Sequence, residues 1–185
     1  MSKNTLCLHR TCKARITDYS FLSHLSEGAQ GFTTLRRHKD GKIYCFKQIP
    51  GPQEGEQLPE VGILFNELRS PFLVDLLHCF ECDGQLHLCM EYCQGGSLHQ
   101  LLESSVNLSK NDIWFILCQL AHGLHHLHTK QIIHRDVKPA NVVLMSQERP
   151  FRVKFCDFGV SKQVNNTVAK TLIVLARVVF MYNLS

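Results

Sequence analysis

At 185 residues the chain has room for one large domain or two small lobes, and its 44% hydrophobic content is enough to build a core. A charged fraction of 19% is that of an ordinary globular protein, and a formal net charge of +4 gives no argument for nucleic acid or a membrane surface as a partner. The basic stretch Met1 to Thr17 reads as an extension rather than an organelle-targeting peptide, and no apolar run follows it to make a signal peptide.

In chain order, Tyr19 to Ile49 reads as three short strands, with turns at Glu27–Gly31 and at Lys39-Asp40-Gly41. Gly51 to Gly55 is a Pro/Gly linker. From Glu56 to Leu68 the apolar positions Val61, Leu64 and Leu68 recur at helical spacing, and Ser70-Pro71 closes the segment. Leu76 to Tyr92 reads as two strands around a turn at Asp83-Gly84, and Cys93-Gln94-Gly95-Gly96 as a joint between lobes. Ser109 then caps a helix reaching Thr129, with Ile113, Ile116, Leu117, Leu120, Leu124 and Leu127 on one face. Two strand-like pieces follow, Val142–Met145 and Phe151–Cys156. Five strands with one inserted helix, then helices, make an α+β chain: a small β-rich lobe and the beginning of a helical one.

Nine cysteines lie within apolar or alternating runs, and a chain of this size needs no disulfide framework, so a reducing compartment (cytoplasm or nucleus) is expected. Cys79, Cys82, Cys89 and Cys93 invite a zinc reading, but strand alternation sends neighbouring side chains to opposite faces. His122 and His126 share a helical face without a third ligand or an intervening glutamate, and read as ordinary helix residues.

The strong signal is His134-Arg135-Asp136-Val137-Lys138-Pro139-Ala140-Asn141, followed after a loop and a strand by Asp157-Phe158-Gly159. Seven specified positions arise by chance about once in a billion start sites. Phosphoryl transfer needs metal ions held against phosphates and a group that orients the attacking hydroxyl. Asp136 can accept that hydroxyl's proton, and Lys138 can neutralise the transferring phosphoryl group. Asn141 and Asp157 offer the hard oxygen ligands that suit Mg²⁺.

The region from Asp18 to Lys162 resembles a eukaryotic protein kinase domain, most similar to the NIMA-related serine/threonine kinases. The resemblance implies a bilobal fold with its N-lobe at 18–92, hinge and partial C-lobe at 93–162, and an altered activation segment at 163–185. It also implies ATP and Mg²⁺ as cofactors and a protein Ser/Thr substrate. Lys138 argues for serine or threonine as acceptor, because tyrosine kinases usually lack a lysine there. On that likeness Asp136 is the catalytic base, and Asn141 and Asp157 bind magnesium. Tyr44-Cys45-Phe46-Lys47 stands where the family has Val-Ala-Ile-Lys, so Lys47 holds the α- and β-phosphates. Its partner is Glu60, with Glu67 as the alternative. Met90-Glu91-Tyr92-Cys93 resembles the gatekeeper and hinge, and Leu25 to Thr33 the glycine-rich loop. The nucleotide-contacting set is then Leu25, Gly28, Gly31, Thr33, Cys45, Lys47, Met90, Glu91, Cys93 and Val143. Ser26 replaces the loop's first glycine, Thr33 the usual valine and Cys45 the usual alanine, changes that weaken the grip on ATP without removing a catalytic group.

The likeness fades after Asn165-Asn166-Thr167: no Gly-Thr-Pro or Ala-Pro-Glu follows, and an apolar run from Thr171 to Met181 leads to Ser185. That run is short for a membrane span, and Arg177 interrupts it. The chain therefore reads as a truncated or spliced form. The resemblance implies a stack of Leu64, Leu76, His134 and Phe158, and a C-lobe helix that would cover the apolar stripe of 109–129. Left open, that stripe with Trp114 and Phe115 would make the fold marginal, impair activity and offer a surface to a regulatory protein. Arg135 before the catalytic aspartate implies switching by phosphorylation, with Thr167 and Thr171 as candidates. Two readings stand: a serine/threonine kinase, and a pseudokinase-like module that binds nucleotide or a partner without turnover.

Overall fold

The computed structural model describes residues 14–28, 31–51, 69–157 and 162–163. They fall in two compact units, the first comprising described residues up to 51 together with Asp75–Tyr92, the second 69–74 and those from Cys93 onward. The first unit is one antiparallel sheet built from β1 (Tyr19–Gly28), β2 (Gly31–His38), β3 (Ile43–Pro50), β4 (Leu76–Cys82) and β5 (Gln85–Glu91), in the order β1-β2-β3-β5-β4. The β4–β5 turn is made by Asp83 at φ +51° and Gly84 at φ +70°, the paired left-handed residues a tight hairpin requires. Sheet register separates two clusters. Ile16, Tyr19, Phe46, Phe80 and Cys89 pack together, with the rings of Phe46 and Phe80 stacked 6.1 Å apart. Cys79, Leu86 and Leu88 form the second cluster, so Cys79 and Cys89 are small apolar fillers of different cores.

The second unit begins with a short helix, α1 (Leu98–Glu103), capped by Ser97 and Gln100, and continues into α2 (Lys110–Thr129). Ser109 caps α2 as expected: Asp112 N–H donates to its Oγ, and its own N–H donates to the Asp112 carboxylate. Then come β6 (Ile132–Ile133), a 3₁₀ turn at Pro139–Asn141, β7 (Val142–Leu144) and β8 (Val153–Phe155). β7 and β8 form a two-stranded ribbon, and β6 pairs with β9 (Lys162–Gln163). The α+β class read from the sequence is the one observed. The helix expected at 56–68 lies outside the described residues, as do the extension before Ala14, residues 158–161 and the tail after Gln163.

One expectation is corrected in part. The apolar stripe of α2 is not left open: Ile116, Leu120, Leu124 and Leu127 are all buried. β8, with β6 beside it, packs along α2 and supplies the cover, and the segment through β8 brings buried Phe151, Val153 and Phe155 to the unit's core. Trp114, at 69% exposure, and Phe115 stand outside that contact, while Ile113 and Leu117 are half-buried.

Two features of this core have measurable consequences. A Cβ on Gly123 would lie 2.9 Å from the Phe155 ring and 3.2 Å from Phe72 Cβ. Gly123→Val is therefore expected to lower stability by about 1–3 kcal/mol through overpacking, and an unchanged melting temperature would contradict that close approach. The core also holds an imidazole, His134, only 1% exposed, beside the Phe155 ring. Its Nε2–H donates to the Cys156 carbonyl, which leaves Nδ1 unprotonated, and burial pushes its pKa down against the opposing pull of Asp157 and Asp136. Burial acts the same way on His87 and His128. The unfolded chain then takes up protons below about pH 6.5 that the folded chain refuses, so stability is full above that value and is lost as pH falls through the depressed pKa. A melting temperature lower at pH 5.5 than at pH 7.5, with a smaller drop in His134→Phe, is the expected result.

Candidate functional site

The second unit carries a compact polar cluster. Two bonds fix the Asp136 carboxylate: Lys138 Nζ lies 2.7 Å from Oδ2, and Asn141 Nδ2 donates to the same oxygen at 2.8 Å. Asn141 Nδ2 also donates to the Asp136 carbonyl, which folds the segment back on itself. The 3₁₀ turn makes this return, with Asn141 N–H donating to the Lys138 carbonyl and Pro139 supplying the fixed φ that starts it. Arg135 enters the loop at φ +65°, a left-handed conformation that costs a non-glycine residue on the order of 1 kcal/mol or more.

The ribbon brings the distant motif to this loop. Val142 pairs with Phe155, and the Cys156 N–H donates to the Asn141 carbonyl, so Asn141 and Asp157 leave the same end of the ribbon. Asp157 is itself left-handed, at φ +62°. Asp157 directly follows Cys156, whose backbone bonds both His134 and Asn141, and Asn141 in turn bonds Asp136, so the chain enters Asp157 from the same loop that carries Asp136. With its Nδ2 committed to Asp136, the amide of Asn141 keeps Oδ1 as its remaining donor. Amide oxygen plus carboxylate is the donor set of a hard divalent cation, so these residues fit Mg²⁺.

The hydrogen bond from Lys138, and secondarily that from Asn141, holds the Asp136 carboxyl below the usual carboxylate range. The same contact raises the Lys138 ammonium. Asp136 is thus ionised at neutral pH and positioned, but it is a weakened proton acceptor.

In the first unit the register places Thr33 opposite Lys47, Lys47 opposite Leu88, and Cys45 opposite Met90. Directly opposed residues share a face, as do residues two apart, so Thr33, Cys45, Lys47 and Met90 all stand on one side of the sheet. Burial pushes the Cys45 thiol up to about 11, so it is an inert wall residue. Gly31, at φ +123°, lies so close to the Gln48 carbonyl that no side chain fits. Leu25 is exposed on β1, and Gly28 ends that strand. Glu91 is locked to Asp75 by two bonds, its N–H donating to the Asp75 carbonyl and its carboxylate accepting from the Asp75 N–H. In the second unit Cys93 is buried with Sγ 3.7 Å from Met145 Sδ, and Val143 of β7 bridges to Ser97. Glu60, Glu67, Leu64, Phe158, Thr167 and Thr171 lie outside the described residues. Motif reading missed the Cys156 peptide, which bonds both His134 and Asn141; it acts through backbone groups, which no residue type announces.

The sequence matches the protein kinase domain family over residues 19–179. It is 31% identical over 160 residues to the serine/threonine-protein kinase Nek5 of Homo sapiens, an overlap of 81% of this chain and 22% of that protein. It is 35% identical over 159 residues to ribosomal protein S6 kinase alpha-1 of Mus musculus (82% and 22%), and 35% over 123 residues to serine/threonine-protein kinase dst4 of Dictyostelium discoideum (66% and 25%). The chain spans a quarter or less of the length of these curated relatives. The family match extends to residue 179 through a segment that contains neither Gly-Thr-Pro nor Ala-Pro-Glu. With a five-stranded sheet followed by helices, and a His134–Asn141 loop tied to the Cys156 backbone just before Asp157, this chain belongs to the protein kinase domain family.

Proposed function

We propose that the chain is the ATP-dependent phosphoryl-transfer domain of a protein serine/threonine kinase, moving the γ-phosphoryl group of ATP to a serine or threonine hydroxyl. The observation that supports this most directly is Asp136 held by Lys138 and Asn141, with Asp157 following the Cys156 backbone that bonds Asn141 and His134. Asn141 and Asp157 would hold magnesium, which supplies positive charge against the phosphate oxygens. Lys47 steadies the α- and β-phosphates. Asp136 aligns the hydroxyl; as the new P–O bond forms and the bond to ADP breaks, the hydroxyl proton passes to this carboxylate.

The depressed pKa of Asp136 fits this division of labour. A carboxylate weakened by a lysine is a poor base at rest, and a loose transition state demands its proton late. Lys138 is half-exposed and can turn towards the transferring group. Its departure from Asp136 returns basicity to the carboxylate when the proton arrives.

Cys79 and Cys89 pack as apolar side chains, which supports a reducing compartment, cytoplasm or nucleus. A regulatory protein at α2 would meet Trp114 and Phe115 rather than the buried stripe. A second reading, nucleotide binding without turnover, draws on the altered segment after Gln163, where the family's substrate-side motifs are absent from the sequence.

Asp136→Asn distinguishes the two. It is expected to lower radiolabelled phosphate transfer to a generic Ser/Thr protein by about 100- to 10,000-fold with nucleotide affinity retained. Equal rates in both proteins would sink the catalytic role of Asp136, and nucleotide binding without transfer in either would select the module.

A further inference from the structure

We propose that Gln119 and Arg149 are positioning residues that clamp the β7–β8 ribbon onto α2 and so set where Asn141 and Asp157 stand; the inference rests on reading those two as the metal ligands. The ribbon cannot hold them by itself. Its strands are three residues each, and an isolated two-stranded unit is marginal in water. Asn141 closes a single 3₁₀ turn, and Asp157 sits in a left-handed conformation two residues past β8. Their placement has to come from what fixes β8.

Gln119 is a buried amide in the middle of the apolar face of α2. Its Nε2 donates to the Phe151 carbonyl at 2.9 Å and to Phe115 O of its own helix at 3.1 Å, while its Oε1 accepts from the Val153 N–H at 3.0 Å. The amide thus bonds the backbone on both sides of Arg152, as the peptide of a neighbouring strand would. Arg149 makes the second attachment. Its Nε donates to the Asp112 carboxylate at 3.1 Å, another guanidinium nitrogen donates to the Asn107 carbonyl at 2.6 Å, and the group lies 5.1 Å from the Phe151 ring centre. Asp112 is already held by the Ser109 cap, so Arg149 grips a fixed point.

Phe155 against Gly123 makes the third contact. Residues 112, 119 and 123 fall on one helical face, because steps of seven and four both return close to the same side. From 112 to 123 a helix rises about 16 Å, and six residues of extended chain from 149 to 155 cover about 20 Å. The segment entering β8 is therefore laid along α2 nearly length for length, and Asp157 follows two residues beyond the last contact. Slack at Gln119 has little chain in which to dissipate before it reaches the carboxylate.

The test is Mg²⁺-dependent binding of a non-hydrolysable ATP analogue to the full 185-residue chain, read by fluorescence displacement alongside circular dichroism. Loss of a purely structural bond lowers the folded fraction without changing how much Mg²⁺ the folded protein needs. Gln119→Met, similar in length and unable to bond the Phe151 carbonyl or the Val153 N–H, is expected to raise the half-saturating Mg²⁺ concentration about 10-fold, with affinity for the analogue in EDTA unchanged. Arg149→Lys, which keeps the charge facing Asp112, should shift it less than Arg149→Met, at about 3-fold. The Arg149 pair carries the test if Gln119→Met does not fold, since Arg149 is half-exposed. An unchanged Mg²⁺ requirement in folded variants overturns the clamp. No Mg²⁺-dependent analogue binding by the unsubstituted chain overturns the metal-ligand reading itself, and the clamp's role with it.

Discussion

The hydrogen bond from His134 Nε2 to the Cys156 carbonyl joins the polar loop to the strand that delivers Asp157. Around it the backbone of the second unit closes. Cys156 N–H donates to Asn141 O, Phe155 N–H donates to Phe72 O, and Val74 N–H donates to Phe155 O. Three separate stretches of chain (70–74, 134–142 and 153–157) meet at two consecutive residues. A bond of this kind contributes about 1 kcal/mol net, but leaving a buried carbonyl unpaired costs about 1–3. The imidazole fits the position because it is neutral: Nε2 donates inward while Nδ1 accepts, at 3.4 Å, from the Asp136 N–H. Protonation would remove that acceptor and bring into the core a charge that Asp157 and Asp136 offset only in part. The same residue therefore couples the site's geometry to the unit's acid stability.

The charges of the site contribute little to holding the fold. Asp136 and Lys138 have side chains 35% and 52% exposed, and an ion pair that open is worth about 0–1 kcal/mol. Two left-handed residues, Arg135 and Asp157, work against stability. A protein built only to persist would have no reason for this arrangement: strain on both sides of a weakly bonded carboxylate, over a core of Phe155, Leu127 and Val142. The stability comes from the burial beneath, and the polar layer above is free to be arranged for the phosphoryl transfer proposed above.

Much of this was legible in the sequence because local chemistry dictated it. Asp83-Gly84 names its own turn, Ser109 with Asp112 its own cap, and the loop and Asp157 motifs their spacing. Tertiary cover was not legible. Apolar residues at 116, 120, 124 and 127 announce that something packs on α2 but not what; with the family's covering helix absent from the sequence the stripe was expected to stand open, and β8 and β6 cover it instead. The β7–β8 ribbon, only three residues a strand, gave too short a pattern to be seen as a layer. A signal for it did exist: Gln119 interrupts the apolar face between Ile116 and Leu120, and an amide there needs backbone partners within reach. The left-handed residues Arg135 and Asp157 could not be foreseen, since neither side chain prefers that conformation strongly enough to mark it.

The departures from the family pattern at Ser26 and Thr33 look independent in the sequence and are neighbours in the sheet. Ser26 pairs with Thr33 across β1 and β2, and Thr33 pairs with Lys47 across β2 and β3. Hydroxyl, hydroxyl and ammonium therefore form one row leading to the proposed phosphate-holding lysine, and a serine–threonine pair is a favourable cross-strand combination. The exchange of an apolar residue for threonine gives up about one methyl of contact with a bound base, roughly 0.8 kcal/mol. Since 1.4 kcal/mol is a factor of ten, in the nucleotide site proposed above such a loss would weaken binding by a few-fold without abolishing it. Serine in place of glycine is accommodated because β1 is an edge strand with two register shifts just before this position, and Ser26 is exposed. The altered row is thus a coherent polar stretch of the sheet, and on the proposed function its cost would fall on affinity, while Asp136, Asn141 and Asp157 stand on other elements.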